Sequence, residues 1–250
     1  MPVGLSSHVD ISVLDIQALT VKYGKSITLN NVSLSLAAGG SLAVVGESGA
    51  GKSTLIAAIL GLVDKEQGAI TWNGRSVQGC RPALVMQEPR AAFNPALSLR
   101  HSVMEPLTAS GSTLPEARLD QLCQRLELET HLLDRRPREV SIGQAQRVGI
   151  LRALIADPPL VLFDEPLSAL DAVTQKHTAK LIAELQHEQG FAALIVTHDL
   201  GYAAAYSDNI AVLRAGRVEE ITPSANFCTS PTTEYGRVLR DAAISLGALS

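Results

Sequence analysis

The stretch Gly46, Glu47, Ser48, Gly49, Ala50, Gly51, Lys52, Ser53 and Thr54 holds the residues whose spacing points most directly to chemistry. Gly46, Gly51, Lys52 and Ser53 fit the pattern of a nucleoside-triphosphate loop. Glycines let backbone N–H groups turn inward on phosphate oxygens with no Cβ in the way. A helix starting near Lys52 adds its positive N-terminal end. The Lys52 ammonium then reaches the β- and γ-phosphates, and the Ser53 hydroxyl ligates Mg²⁺. A chance glycine-rich turn would lack the flanks present here: the apolar run "SLAVV" before the loop and the helical pattern "STLIAAILGL" within and after it.

A second group is the carboxylate pair in "LVLFDEP", Asp164 and Glu165, at the end of an apolar run. In parallel sheets ligands sit outside the carboxyl ends of the strands. Asp164 is placed there to hold Mg²⁺ through water, and Glu165 to polarise an attacking water. Neighbouring strand residues point to opposite faces, but the strand ends here, so both can face one site. Alone, the pair reads equally as two solvated carboxylates at a helix start. The phosphate loop upstream favours the site.

Three more polar residues follow apolar runs: Gln87 after "PALVM", His198 in "VTHDL", and Tyr23, which offers a ring for stacking on a base. Singly, they read as a loop glutamine, a structural histidine and a core or surface tyrosine. In "EVSIGQAQRV", Ser141 and Gly143 mark a helix start that could hold an anion, with the bulky Ile142 between them.

These residues must be positioned by an alternating framework. Residues 11–45 are strand-rich, with Ile27, Leu29, Val32, Leu34 and Leu36 as apolar positions around an Asn-Asn break. A helix follows the phosphate loop and ends at Gly61, and strands are expected at 68–74 and 82–86. Residues 90–136 read as a helical insertion, with Leu114, Leu119, Leu122, Leu126 and Leu128 near helical spacing. From 143 the chain alternates: helix 143–156, strand 160–163, helix 172–189, strand 192–196, helix 200–206, strand 210–214. Strands alternating with helices predict a parallel sheet. After 221 comes a polar stretch and then a short helix, "EYGRVLRDAAISL".

The 250 residues are 46% hydrophobic and 18% charged, enough to bury a full core. The net charge of −4 does not suggest a general nucleic-acid binder. Cys80, Cys123 and Cys228 are too scattered for a metal site and read as free thiols of a reducing compartment. The start has no signal-peptide pattern, and no run approaches the ~18 apolar residues of a membrane span. A soluble, cytoplasmic chain is expected, one that would act at a membrane through a partner.

The order of these motifs resembles the ATP-binding subunits of ABC transporters, over roughly residues 13–241. "VKYGK" resembles the adenine-stacking loop of that family, "GESGAGKST" its Walker A motif, and "VMQEP" its Q-loop. "VSIGQAQRVGILRAL" resembles the signature and its helix, "LVLFDEP" Walker B, "SALD" the D-loop, and "VTHDL" the switch. The resemblance implies a P-loop NTPase (RecA-like) α/β fold: a parallel-sheet core, an N-terminal antiparallel β subdomain and an inserted helical subdomain. It implies core segments at 11–87 and 158–221, a helical subdomain with the signature helix at 88–157, and a tail at 222–250.

The same resemblance implies ATP and Mg²⁺ as ligands, with Tyr23 on the base and Ser53, Gln87 and Asp164 around the metal. Glu165, Gln87 and His198 become the catalytic set. Ser141, Gly143, Gln144 and Asp171 would serve ATP on a second ATPase subunit, identical or paralogous, since one nucleotide is sandwiched between Walker A of one and the signature of the other. Two permeases and, indirectly, a substrate-binding protein complete the expected assembly, with this chain peripheral on the cytoplasmic face. "QEPRAAFNP", "MEPL" and "FCTSPTTEYGRVL" resemble importers of peptides, nickel and opine metallophores, and the short tail favours the metal branch. The alternatives are a soluble ABC ATPase uncoupled from transport and a regulatory subunit. One departure stands out: Ile142 occupies the first glycine position of the family's Leu-Ser-Gly-Gly-Gln. A β-branched residue is unwelcome wherever φ is positive or a backbone must approach closely.

Overall fold

A computed structural model describes residues 12–113 and 116–249. In chain order the elements are β1 (Ser12–Tyr23), β2 (Ser26–Ala37), β3 (Ser41–Val45), α1 (Lys52–Ile59), β4 (Lys65–Trp72), β5 (Arg75–Ser76) and β6 (Ala83–Val85). Then follow α2 (Leu99–Ser110), α3 (Glu116–Arg125), α4 (Ile142–Leu154), β7 (Leu160–Asp164), α5 (Ala172–Gln189), β8 (Ala192–Thr197) and α6 (Leu200–Tyr206). The chain closes with β9 (Asn209–Arg214), β10 (Arg217–Pro223), α7 (Ser224–Thr229) and α8 (Glu234–Ser245).

Two sheets result. The first is antiparallel, in the order β2-β1-β4-β5. The second has the order β10-β9-β3-β8-β7-β6 and is parallel except for the β10 edge, so the expected α/β architecture is present. Every residue of β3 and β8 is buried, as expected for strands covered on both faces. Register decides what meets at the rim. Val45 pairs with Thr197, Val196 with Asp164, and Phe163 with Val85. The carboxyl ends of β3, β8, β7 and β6 therefore lie side by side along one edge.

Three apolar clusters hold the molecule together. One joins the antiparallel sheet and α1 to one side of the parallel sheet. Another joins α2, α3 and α4 to α5 and to β7 and β8, with Phe163 and Leu126 fully buried. The third packs Phe227, Tyr235, Ala243 and Leu249 on Ala43, Val45, Ile210 and Val212.

The structure departs from the sequence pattern at a few places. Ile27 is 49% exposed although Leu29, Val32, Leu34 and Leu36 are buried. The Asn-Asn break is a kink within one strand, with Asn31 at φ +56. Helix α3 stops at Arg125, because Glu127 takes a left-handed φ of +52 and closes the end with Leu128 N–H to the Cys123 carbonyl and Glu127 N–H to the Gln124 carbonyl. Leu128 is thus buried beyond the helix, and Leu114 lies outside the described residues. Helix α4 begins at Ile142, one residue earlier than expected, because Ser141 caps it. The polar stretch after 221 contains the end of β10 and the short helix α7, anchored by the buried Phe227. Here the residues read as polar, but their apolar neighbours find partners on β3 and β9 that sequence distance hides.

Candidate functional site

The phosphate loop is shaped by what surrounds it. A Cβ on Gly46 would lie 2.1 Å from the Leu213 carbonyl oxygen, so only glycine lets the loop leave β3 against β9. Gly51 sits at φ +107, and a Cβ there would meet Leu29 Cδ2 at 2.7 Å and the Thr28 carbonyl at 2.9 Å. Gly51 then caps α1, whose first amides face the loop. Lys52 is buried and donates from Nζ to the carbonyls of Gly46 (2.7 Å) and Glu47 (3.0 Å). Burial lowers its pKa, while Glu165 and then Asp164 act to raise it.

The rim of the sheet supplies the rest. A cavity of about 620 Å³ is lined by Ser48, Gly49, Gly51, Lys52, Ser53 and Thr54 of the loop, and across from them by Gln87, Glu165 and His198. The sheet order explains the convergence: β8, which ends before His198, lies between β3 and β7, and β6 flanks β7 on the far side. Glu165 stands at φ +48, a conformation uncommon for a residue with a side chain. Its N–H still bonds the Val196 carbonyl at 2.9 Å, so the backbone turns immediately after β7 and aims the carboxylate inward. His198 Nδ1 lies 2.6 Å from Glu165 Oε2.

Asp164 lies deeper. Burial, then Glu165, raise its pKa, against a hydrogen bond from Ser53 and the charge of Lys52. Its Oδ1 is buried with no hydrogen-bond partner among the described residues. An orphaned carboxylate oxygen beside a serine hydroxyl is the hard oxygen donor set that Mg²⁺ takes, with phosphate oxygens and water completing the shell. Among the described residues no cluster of three His, Cys, Asp or Glu side chains forms a metal site by itself. The three cysteines are free.

Of the expected residues, Gly46 and Ala50 form the buried underside of the loop, and Glu47 points outward from it. Tyr23 does not line the cavity; it is 52% exposed at the tip of the β1–β2 hairpin, paired with Ser26. Thr28 lines the cavity and was not anticipated. Its only sequence signal was its place on the polar face of an alternating strand.

The signature residues lie elsewhere. Ser141 caps α4: its Oγ accepts from Gln144 N–H at 3.1 Å, and Gln144 Oε1 accepts from Ser141 N–H at 2.9 Å. Asp171 caps α5 by accepting from Thr174 N–H at 3.0 Å, and hydrogen bonds from Thr174 hold its pKa below the usual carboxylate value. A Cβ on Gly143 would be 3.4 Å from Thr174 Cγ2, so the two helix starts are packed together. Ser141, Ile142, Gly143, Gln144 and Asp171 line one cavity of about 440 Å³ that shares no residue with the first. Ile142 has no positive φ and is 44% exposed, so its backbone is relaxed and its side chain stands at the mouth of the helix.

The profile described as "ABC transporter" matches residues 29–168. The chain belongs to the ABC transporter family. Its relatives include the oligopeptide transport ATP-binding protein OppF of Escherichia coli (strain K12), 34% identical over 86% of this chain and 68% of that protein. The nickel import ATP-binding protein NikE of Shigella boydii serotype 4 is 34% identical over 89% of this chain and 88% of that protein. Among solved structures, the dimeric ATP-binding cassette MJ0796 in a post-hydrolysis state, bound to ADP and Pi, superposes with a TM-score of 0.72. It is 28% identical, covering 84% of this chain and 98% of that chain. This ABC chain is an ATPase of the family. None of its described helices is long and apolar enough to cross a membrane.

Proposed function

We propose that this chain is the ATP-hydrolysing subunit of an ABC importer. The observation that carries the reading is the single cavity in which the phosphate loop faces Gln87, Glu165 and His198. In this reading the backbone of residues 46–51, Lys52 and Thr54 hold the triphosphate, and Tyr23 stacks on the adenine from the hairpin tip. Ser53, Asp164 and Gln87 would hold Mg²⁺, which neutralises charge on the β- and γ-phosphates when bound. Glu165 takes the proton of the attacking water. His198, bonded to Glu165 through Nδ1, orients that carboxylate and leaves Nε2 for the γ-phosphate.

The second cavity supports pairing with another ATPase subunit. Ser141 accepts from its own helix, which leaves its hydroxyl proton free to donate to an anion. The dipole of α4 and the amides of Ile142 and Gly143 add to it. Such a half-site has no lysine among its lining residues, and the Arg147 that lines it is paired with Glu127 at 3.0 Å, so in this reading it completes a triphosphate site only on a partner. The reading divides the chain into core segments 11–87 and 158–221, a helical subdomain 88–157 and a tail 222–250. A groove of about 580 Å³ between Pro82–Met86 and the C-terminal ends of α2 and α4 adjoins Gln87 and offers a permease a surface on the cytoplasmic side. The names of OppF and NikE support peptides or nickel complexes as cargo. Cargo choice would rest with permeases and a binding protein. The deciding experiment is transport by the assembled complex with candidate metals, metallophores and peptides; failure to assemble with any permease would defeat the importer reading.

A further inference from the structure

Gln87 lines the first cavity and Ser141 the second, yet the residues beside them are tied together. Past Gln87 the backbone makes one helical turn, Pro89–Ala92, with Ala91 N–H donating to the Glu88 carbonyl at 3.1 Å and Phe93 N–H to the Arg90 carbonyl at 3.3 Å. Two arginines fasten this turn along α4. The Arg90 guanidinium donates to the Val140 carbonyl at 2.6 Å, just before the helix. Arg152, in the last turn of α4, donates to the Ala92 carbonyl at 2.9 Å and pairs with Glu105 of α2 at 2.9 Å. Between these two points the buried Phe93 lies against the helix, where a Cβ on Gly149 would be 4.0 Å from its ring.

The two bonds hold different things. Arg152 meets the turn from the end of α4 away from Ser141. Arg90 grips the peptide through which the chain enters the helix. The N–H of that same peptide, on Ser141, donates to Gln144 Oε1 at 2.9 Å, so both of its polar groups are engaged and its plane is fixed. That plane sets where the Ser141 hydroxyl and the amides of Ile142 and Gly143 point. Arg90 is exposed, so ordering its long side chain costs rotamer entropy and the bond adds little to stability. What a charge-assisted bond supplies here is geometry. We propose that Arg90 is a positioning residue of the signature half-site: it fixes the peptide from which Ser141 and the first amides of α4 face a partner's nucleotide, and it sets them relative to Gln87. This rests on the reading that the second cavity serves ATP bound to another subunit.

The test is ATP turnover by the complex assembled with its partner subunit and permeases, beside Mg-ATP titration and thermal melting of the full chain. Arg90→Met keeps an apolar stem and removes the guanidinium. It should lower kcat about tenfold, the effect of one hydrogen bond from a charged donor. The chain's own ATP affinity and melting temperature should stay at wild-type values. In a Ser141→Ala background the same substitution should lower kcat no further, because Arg90 acts through the geometry of Ser141. Wild-type kcat in Arg90→Met, a full further loss in the Ser141→Ala background, or a parallel fall in ATP affinity or melting temperature would each overturn the proposal. Wild-type kcat in Ser141→Ala alone would instead remove the half-site reading beneath it.

Discussion

His198 Nδ1 and Glu165 Oε2 stand 2.6 Å apart, although 33 residues separate them in the chain. The pair exists because β7 and β8 are hydrogen-bonded neighbours and both end at the same rim. A carboxylate anchored in this way keeps one geometry, which is what the proposed general base needs.

Glu165→Gln keeps an acceptor for His198 and removes the base. ATP turnover should fall by about 10²-fold or more while ATP binding survives, so a nucleotide-trapped dimer should accumulate. Steady-state phosphate release and size-exclusion chromatography with ATP check both points. Unchanged turnover would remove Glu165 from its assigned role.

Lys52→Ala deletes a buried ammonium that the loop's own carbonyls hold in place. ATP affinity should drop by roughly 10- to 100-fold, the range for hydrogen bonds to charged groups. Equilibrium titration with Mg-ATP measures it.

Asp164 gives a pH signature. Its folded pKa is raised, chiefly by burial, so the folded chain binds more protons than the unfolded one between the ordinary carboxylate value and the raised one. Stability therefore falls as pH rises through that window. Asp164→Asn removes this cost. The nucleotide-free variant should melt at a higher temperature than wild type at neutral pH. The gain should vanish in acid, below the ordinary carboxylate value, and stabilisation by Mg-ATP should be lost. Thermal melts across pH, with and without nucleotide, report all three.

Ile142 stands exposed where the amides of α4 open. It lines the second cavity with no backbone strain to relieve, so in the proposed half-site its side chain would narrow the approach of a partner's phosphate. Ile142→Gly should raise the ATPase rate of the assembled complex severalfold. An unchanged rate would mean that the isoleucine turns aside and is tolerated.

Glu220→Ala withdraws a buried carboxylate that accepts from the amides of Thr232 and Thr233. Leaving those donors without a partner should cost about 1–3 kcal/mol and loosen α8. Denaturant unfolding gives the first, and hydrogen exchange in residues 234–245 the second.

Much of this was legible in the chain. Short continuous apolar runs marked β3, β7 and β8, because strands buried on both faces must be apolar throughout. Helix α5 falls at 172–189 as its signals predict, with Asp171 at its start and Gly190 at its end. The glycine spacing of residues 46–51, with an apolar run before it and a helical pattern after it, was legible because it encodes backbone torsions and close approach rather than side-chain contacts. The tail was not legible, since Phe227 and Tyr235 gain their meaning from β3 and β9, which only folding brings near.

The sequence by itself determined which polar groups this protein carries and in what order they follow its strands. Local geometry is written in local residue types. Only the tertiary structure decided that Glu165 faces His198, that Asp164 has an oxygen without a partner among the described residues, and that Ser141 and Asp171 share a cavity apart from the loop. Those relations depend on strand order and register, which arise from burying distant apolar surfaces together and have no signature within any single stretch.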